Sequence, residues 1–429
     1  MKLTRFVELI EHTKRIQRLD KVRYKKSTER KKMRDVVIVD YLRTPFSRSR
    51  PNAPEKDKLN DFRMDVLAGR LIKTMVERKG INPKEIGDVL VGAAFQVMEQ
   101  WMYGGRGIVA LAGLPETVSA QAIDRQCGSS MNTIHTGAMQ IMTGYSDIVV
   151  SAGLEHMTHI PMAGNPYIDP PTAQLMEPEY EKYDFATGFV MGLTAEKLYK
   201  RAAEKFGITR EDMDRYSLES HEMALNGQDE GFFKDELLPI ELANGEIFDQ
   251  DASPRRGSTM EKMASLMPSF DFEGEITPGN SSPLNAGATA MVLMSKEKAK
   301  EYGLEPLATI KSMGWAAVNP GIMGLGPVPA SQMALKKAGL EAKDIDFWEI
   351  NEAFAIVAMN CIKELGIDRN KVNVKGGAVA IGHPLGATGT RLVGTVARLL
   401  NWKDGGQYGL ANACIGGGQG IATIVEKGG

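Results

Sequence analysis

Apolar and polar positions along this chain follow two alternating rhythms. Short β-rich runs occur at 36–39 (VVIV), 88–92 (DVLVG) and 147–153 (DIVVSAG). Between them, apolar residues recur every three to four positions: in 65–79, after Cys127 (Met131, Ile134, Ala138, Ile141, stopping at Gly144), and after His383 (Leu392, Val393, Val396, Leu399). A period of two alternates the faces of a strand, and a period of 3.6 draws one apolar stripe along a helix. The pattern therefore predicts an α/β fold with helices packed on sheets.

The chain also repeats itself. GINPKEIGDVLVGAAF (80–95) aligns without gaps to GLEAKDIDFWEINEAF (339–354) at an offset of 259, and each copy reads as a helix end, a turn and a strand. Carried forward, the offset puts Cys127 at 386, three residues from His383. Two matched halves packed about a pseudo-twofold axis would let those two helix starts face each other. Between the halves, the Pro-rich loop AGNPYIDPPTAQLMEPEYEKYD leads to helical segments such as TAEKLYKRAAEKFG before GATAMVLMS resumes the sheet pattern. This stretch reads as an insertion out of the first half. The expected division is a basic extension over 1–32, a first half over 33–153 plus 276–303, an insertion over 154–275 and a second half over 304–429.

Charge is unevenly placed. The 429 residues carry a formal net charge of -2, which gives no global reason to expect nucleic acid binding. Residues 1–32, however, hold twelve Lys/Arg and four Asp/Glu, a net of +8. Their acidic residues count against a mitochondrial transit peptide, and a solvated appendage upstream of a start at Met33 is the simpler reading. No apolar run approaches the roughly 20 residues that cross a bilayer, so no membrane partner is expected. Three scattered cysteines cannot form a disulfide framework, which points to free thiols in a reducing, cytoplasmic setting.

The chemistry centres on those thiols. Cys127, in DRQCGSSMN, stands at a helix start, where the dipole and free amides favour a thiolate; the bland alternative is a small buried residue. His383 lies among Gly377, Gly382, Gly386 and Gly389, and imidazole is the usual acceptor of a thiol proton near neutral pH. Cys414, in ANACIGGGQG, follows a short strand and precedes glycines whose amides suit a developing oxyanion, so it is a candidate second proton-transfer group. Cys361, inside AIVAMNCIKELG, reads as core. A metal site is the competing use of the Cys/His set, but there is no CxxC and His156/His159 show no third ligand. No GxxxxGK[ST] or strand-linked GxGxxG is present.

Taken in order, DRQCGSSMN with SAGLEHMT, NEAFA (351–355), GGAVAIGHPLGATG and CIGGGQG resemble the thiolase family from about Met33 to the C-terminus. The resemblance implies two βαβαβαββ halves in an α/β/α/β/α arrangement with an inserted loop domain. It also implies ping-pong acyl transfer to or from coenzyme A: reversible Claisen condensation of two acetyl-CoA, or thiolysis of 3-oxoacyl-CoA. Acyl-CoA and CoA are then substrates, with no resident cofactor or metal, and a homodimer or homotetramer is expected. Carried onto this chain, Cys127 is the acylated nucleophile, His383 its base, and Cys414 the α-carbon acid/base. Asn351 holds a water that with His383 forms one oxyanion hole, and the amides of Cys127 and Gly416 form the other. Glu352 and Phe354 support and line the site, Arg255 faces the nucleotide, and Met191, Ser282, Leu284 and Met323 line the pantetheine or acyl channel. One departure is Val190-Met191-Gly192 where short-chain biosynthetic members often read His-Met-Gly, which leaves room for longer substrates. The alternatives are a non-catalytic acyl-CoA-binding scaffold and a decarboxylating condensing enzyme, which usually lacks the CIGGG cysteine.

Overall fold

The computed structural model describes residues 33–403 and 405–428; the reading of 1–32 lies outside the described residues. Among the described residues there are twelve strands: β1 Val36–Arg43, β2 Ser47–Arg48, β3 Ile86–Gly92, β4 Ser119–Ile123, β5 Ile148–His156, β6 Ile240–Glu241, β7 Ile247–Phe248, β8 Asn285–Ser295, β9 Ala308–Ala317, β10 Phe347–Ile350, β11 Tyr408–Ile415 and β12 Gln419–Lys427. The longer helices are α1 Met64–Arg78, α2 Arg106–Leu111, α3 Ser129–Thr143, α4 Met191–Phe206, α5 Arg210–Asp229, α6 Pro327–Ala338, α7 Ala355–Leu365 and α8 Leu385–Leu399.

The strands hydrogen bond in the order β10-β11-β12-β9-β1-β8-β5-β3-β4, with β2 added against β8. Two half-sheets are visible in that order. They meet at β1 and β9, which share only the pairs Val37↔Thr309 and Ile38↔Ala308. Much of the two halves matches: β3 pairs in parallel with β5 as β10 does with β11, although β4, which extends the first half beyond β3, has no counterpart strand beyond β10 among the described residues. The 3-10 turns before β3 and β10, Pro83–Glu85 and Ala342–Asp344, stand 259 residues apart as the repeat requires.

Period-two alternation sorts side chains between layers. Along β1, Val37 and Val39 join one core with α1, while Val36, Ile38 and Tyr41 face a second core with Met131 and Ile134 of α3 and Leu392 and Val393 of α8. Along β12, Ile421 and Val425 join that second core, whereas Ala422 and Ile424 face a third with α6 and α7. Three cores between helices, half-sheet, helices, half-sheet and helices make the five-layer thiolase-type arrangement. Buried on both faces, β8 is apolar almost throughout, as a central strand must be.

The central layer is where the halves meet. A Cβ on Gly389 would lie 2.2 Å from the Met131 backbone nitrogen, so only glycine lets α8 approach α3 this closely. Ser130 Oγ accepts from the Thr390 amide at 2.9 Å across the same contact. Between β5 and β8 the chain carries α4, α5 and the β6–β7 hairpin. β5 stays paired with β8 through His156↔Ala286, and β8 opens at Asn285, because the ladder continues as long as backbone partners face each other.

Candidate active site

Cys127 lies in the 3-10 turn Gln126–Gly128 immediately before α3. Gln126 takes a left-handed φ of 44°, and Ser129 clasps the turn by accepting from the Arg125 amide (2.9 Å) and donating to the Gln126 carbonyl (2.6 Å). The half-buried Cys127 packs with Phe95 against Ala94, Met157 and Leu385, the last two residues beyond His383. The helix-start reading expects a lowered thiol pKa. The structure reverses the sign: burial pushes Cys127 up to about 12, the Gly416 amide hydrogen bond opposes this, and the Glu155 carboxylate adds to the rise. No cation among these causes offsets the desolvation.

His383 enters from the second half in the loop before α8. Its amide donates to Asn285 Oδ1 (2.9 Å) and its Nδ1 lies 2.6 Å from Thr388 Oγ1, while the Thr388 hydroxyl donates to the Pro384 carbonyl (2.9 Å). Because the threonine proton is committed, Nδ1 carries the ring proton and Nε2 presents its lone pair. Asn351 Nδ2 stands 3.4 Å from that Nε2 and also bonds the Cys414 thiol. Burial, and then the Arg391 guanidinium, lower His383 to about 3, so the ring is neutral at working pH.

Cys414 sits inside β11, paired with Gly420, and not after a strand as the sequence pattern suggests. Burial raises its thiol, and the neighbouring Cys127 raises it further. Gly417 and Gly418 turn the β11–β12 hairpin with φ of 79° and 77°, which leaves the Gly416 amide directed at Cys127. Cys361 is a buried core residue whose sulfur accepts from Asn412 Nδ2 at 3.6 Å.

Glu352 does not face the reacting groups. It is fully buried and accepts from Tyr216 Oη (2.9 Å), Ser220 Oγ (2.8 Å), Asn373 Nδ2 (2.6 Å) and the Val379 amide (3.1 Å), tying α5 to the loop that leads to His383. Phe354 lies in the same core as Cys414, Met323 and the partly buried Met191. Met191 Sδ is 3.6 Å from where a Cβ on Gly416 would stand. The Ser282 amide donates to the Ala353 carbonyl (3.0 Å), so 281–282 runs alongside the NEAF segment; Leu284 is partly exposed and its carbonyl accepts from the Ser49 amide (2.8 Å). Arg255 stands apart between β7 and β8, exposed, with its amide donating to His221 Nδ1 (3.3 Å).

Four residues given no role by the sequence reading belong to this arrangement. Thr388 and Asn285 hold His383. Phe270 meets Phe354 edge-on, 6.1 Å between centroids. Glu155 accepts from the amides of Ala94 (2.8 Å) and Gly386 (2.9 Å), bridging the Cys127 and His383 sides, and burial raises it to about 7. An acid near the end of the mostly apolar run IVVSAGLEH was a readable signal for Glu155; the others have none beyond proximity to a motif. His156 and His159 stack at 3.6 Å, with His159 Nδ1 3.1 Å from Glu99. Among the described residues no group of three or more His, Cys, Asp or Glu is placed to hold a metal, and no helix is long and apolar enough to cross a membrane.

Comparison with known proteins agrees with this geometry. The family descriptions "Thiolase, N-terminal domain" and "Thiolase, C-terminal domain" match residues 36–297 and 304–427. The 3-ketoacyl-CoA thiolase of Marinobacter nauticus is 43% identical over 403 residues, covering 92% of this chain and 98% of that protein. The acetyl-CoA acetyltransferase of Bacillus anthracis superposes with a TM-score of 0.80 at 37% identity, over 92% of this chain and 99% of the other. The dimeric peroxisomal thiolase of Saccharomyces cerevisiae gives 0.82 at 34%, over 92% and 98%. With both family domains matched in order around one Cys-His-Cys-Asn site, this chain belongs to the thiolase family.

Proposed function

We propose that the protein is a degradative-type 3-oxoacyl-CoA thiolase that accepts acyl chains longer than acetoacetyl. The observation that carries this is the convergence of Cys414, Asn351 and His383 with Cys127 at the Gly416 amide. Val190 before Met191, in place of an imidazole, and the 3-ketoacyl-CoA thiolase relative support the longer chains.

In this reading His383 Nε2 takes the Cys127 proton as the sulfur attacks the 3-oxo carbon. The alkoxide is held by donors that strengthen as charge develops. The bond between C2 and C3 breaks, its electron pair forms the acetyl-CoA enolate, and Cys414 protonates C2. CoA then enters, its thiol proton passes to the Cys414 thiolate, and its sulfur displaces the acyl group from Cys127, which recovers its proton from His383. Two thiols are needed because an acylated sulfur cannot also act as the acid. The division into halves and a loop domain goes with this reading, the insertion taken from Met157 to Leu284, as does a homodimer in a reducing, cytoplasmic compartment. The dimeric yeast neighbour and the three free cysteines support these last points. No observation favours a scaffold.

The test is thiolysis of 3-oxoacyl-CoA substrates of four to sixteen carbons with added CoA. Activity rising beyond four carbons supports the proposal, and full thiolysis by Cys127→Ala protein would sink it.

A further inference from the structure

Glu155, near the end of β5, is fully buried and has no ion-pair partner among the described residues. Hydrogen bonds take the place of a cation: the amides of Ala94 (2.8 Å) and Gly386 (2.9 Å) both reach Oε2, and Gln100 Nε2 reaches Oε1. Gln100 is buried as well, its Nε2 donating to the Phe95 carbonyl (2.8 Å) and its Oε1 accepting from the His156 amide (2.7 Å), so it cannot swing away from Glu155. An ionised carboxylate only accepts, and each of these groups donates. The helix α8 adds to the fit. It starts at Pro384 without a side-chain cap, the Gly386 amide belongs to its open first turn, and the helix dipole favours a negative charge there.

Each of the two amides leads to one side of the reaction. Gly386 lies three residues beyond His383, in the helix turn that carries Thr388 and through it the His383 ring. Ala94 follows β3, and its carbonyl accepts from Nε2 of Gln126 (3.1 Å), the residue before Cys127; Phe95 and Cys127 pack against the same cluster of Ala94, Met157 and Leu385. Glycines bring these segments within reach of one side chain. A Cβ on Gly386 would lie 2.5 Å from the Leu154 carbonyl oxygen, 2.6 Å from Ala93 Cα and 3.0 Å from Glu155 Oε2, and one on Gly92 would lie 2.6 Å from the Ser130 nitrogen at the start of α3.

Resting on the thiolase reading, we propose that Glu155 is a positioning residue of the reaction: it locks the segment beside the Cys127 turn to the first turn of α8, and so sets how closely the Cys127 sulfur approaches His383 Nε2. The link runs between the two halves, so a shift at Glu155 moves nucleophile and base relative to each other and not as one body. Glu155 touches neither reacting atom and acts through the backbone. Its charge has a separate effect: the carboxylate raises the Cys127 thiol, so removing it favours the thiolate even as it disturbs the geometry.

The experiment is Glu155→Gln in the full chain. Glutamine keeps the size but sets an NH2 group against amides that need an acceptor. For thiolysis of a 3-oxoacyl-CoA, kcat is expected to fall about 100-fold with KM changed less than about two-fold, the scale of a small misplacement of reacting groups. Alkylation of Cys127 by iodoacetamide at about pH 8 is expected to speed up about three-fold. Simple loosening of the fold does not move the two rates in opposite directions. Gln126→Asn is the second variant if Glu155→Gln folds poorly: asparagine tolerates the left-handed φ and is one carbon too short for the Ala94 carbonyl, so kcat about ten-fold lower at constant KM is expected. Wild-type kcat in either variant, or a rise in KM alone, overturns the role, as does a fall of alkylation and thiolysis together in Glu155→Gln. Wild-type protein inert in thiolysis, with alkylation still faster in Glu155→Gln, would instead overturn the thiolase reading and leave the link between Glu155 and Cys127 standing.

Discussion

His383 Nδ1 and Thr388 Oγ1 stand 2.6 Å apart one helical turn from each other, and the threonine hydroxyl is already spent on the Pro384 carbonyl. That pair of bonds selects the tautomer in which Nε2 can receive a proton. Thr388→Val keeps the shape and removes the acceptor. We expect kcat to fall about 100-fold with KM little changed, the scale of a mispositioned general base. Thr388→Ser should restore most of it; equal loss in Ser and Val would show packing, not the hydrogen bond, to be what matters.

The resting thiol of Cys127 is protonated, since its pKa is raised to about 12. Alkylation needs the thiolate, so the rate with iodoacetamide in substrate-free protein should climb about ten-fold per pH unit from 7 to 10. An ordinary cysteine levels off near its pKa of about 8.5. A plateau below pH 8 would mean that a thiolate-imidazolium pair forms before substrate arrives.

Cys414→Ala removes the proposed carbon acid and leaves the nucleophile. The variant should form an acyl-enzyme at Cys127, seen as a mass increase of one acyl group, while steady-state turnover falls by at least about 100-fold. Failure to acylate would place Cys414 in the first step.

Glu352 accepts four hydrogen bonds from three separate segments. Glu352→Ala strands those donors in the interior and should cost about 3 kcal/mol in denaturant unfolding. Glu352→Gln, which keeps two polar atoms, should cost less.

Buried His135 and His383 are both lowered to about 3. Above pH 6.5 they are neutral folded or unfolded. As pH falls below 6.5 the unfolded chain takes up their protons and the folded protein does not, so each removes about 1 kcal/mol of stability per pH unit until its folded pKa is reached. Glu155 and Glu349, raised to about 7 and about 8, act in the opposite sense between their unfolded values and those limits. Between pH 5 and 6 the two histidines and the two glutamates nearly cancel, so replacing His135 by Asn should shift the slope by about one proton towards stability falling as pH rises, measurable by urea denaturation at a series of pH values.

Local pattern carried much of the fold. The stop of α3 at Gly144, with φ 83°, and the matched turns before β3 and β10 follow from backbone chemistry and repetition. His383 and Cys414 were readable because each sits in a motif with an unusual density of glycine, whereas Cys127 and Asn351 were marked by the family-like motifs DRQCGSSMN and NEAFA. What escaped depends on burial and on contacts distant in sequence. The sign of the Cys127 shift is set by desolvation, which no spacing encodes, and Asn285 joins β2, Ser253 and His383 across gaps of 238, 32 and 98 residues.

The seam of two residue pairs between β1 and β9 has one more consequence. Nucleophile and base lie on opposite sides of it, so neither half is chemically competent by itself. Severing the gene within the connection between β8 and β9 would yield two mute fragments. Turnover regained on mixing them would then count docked halves directly, turning the reaction into a gauge of how the molecule assembles.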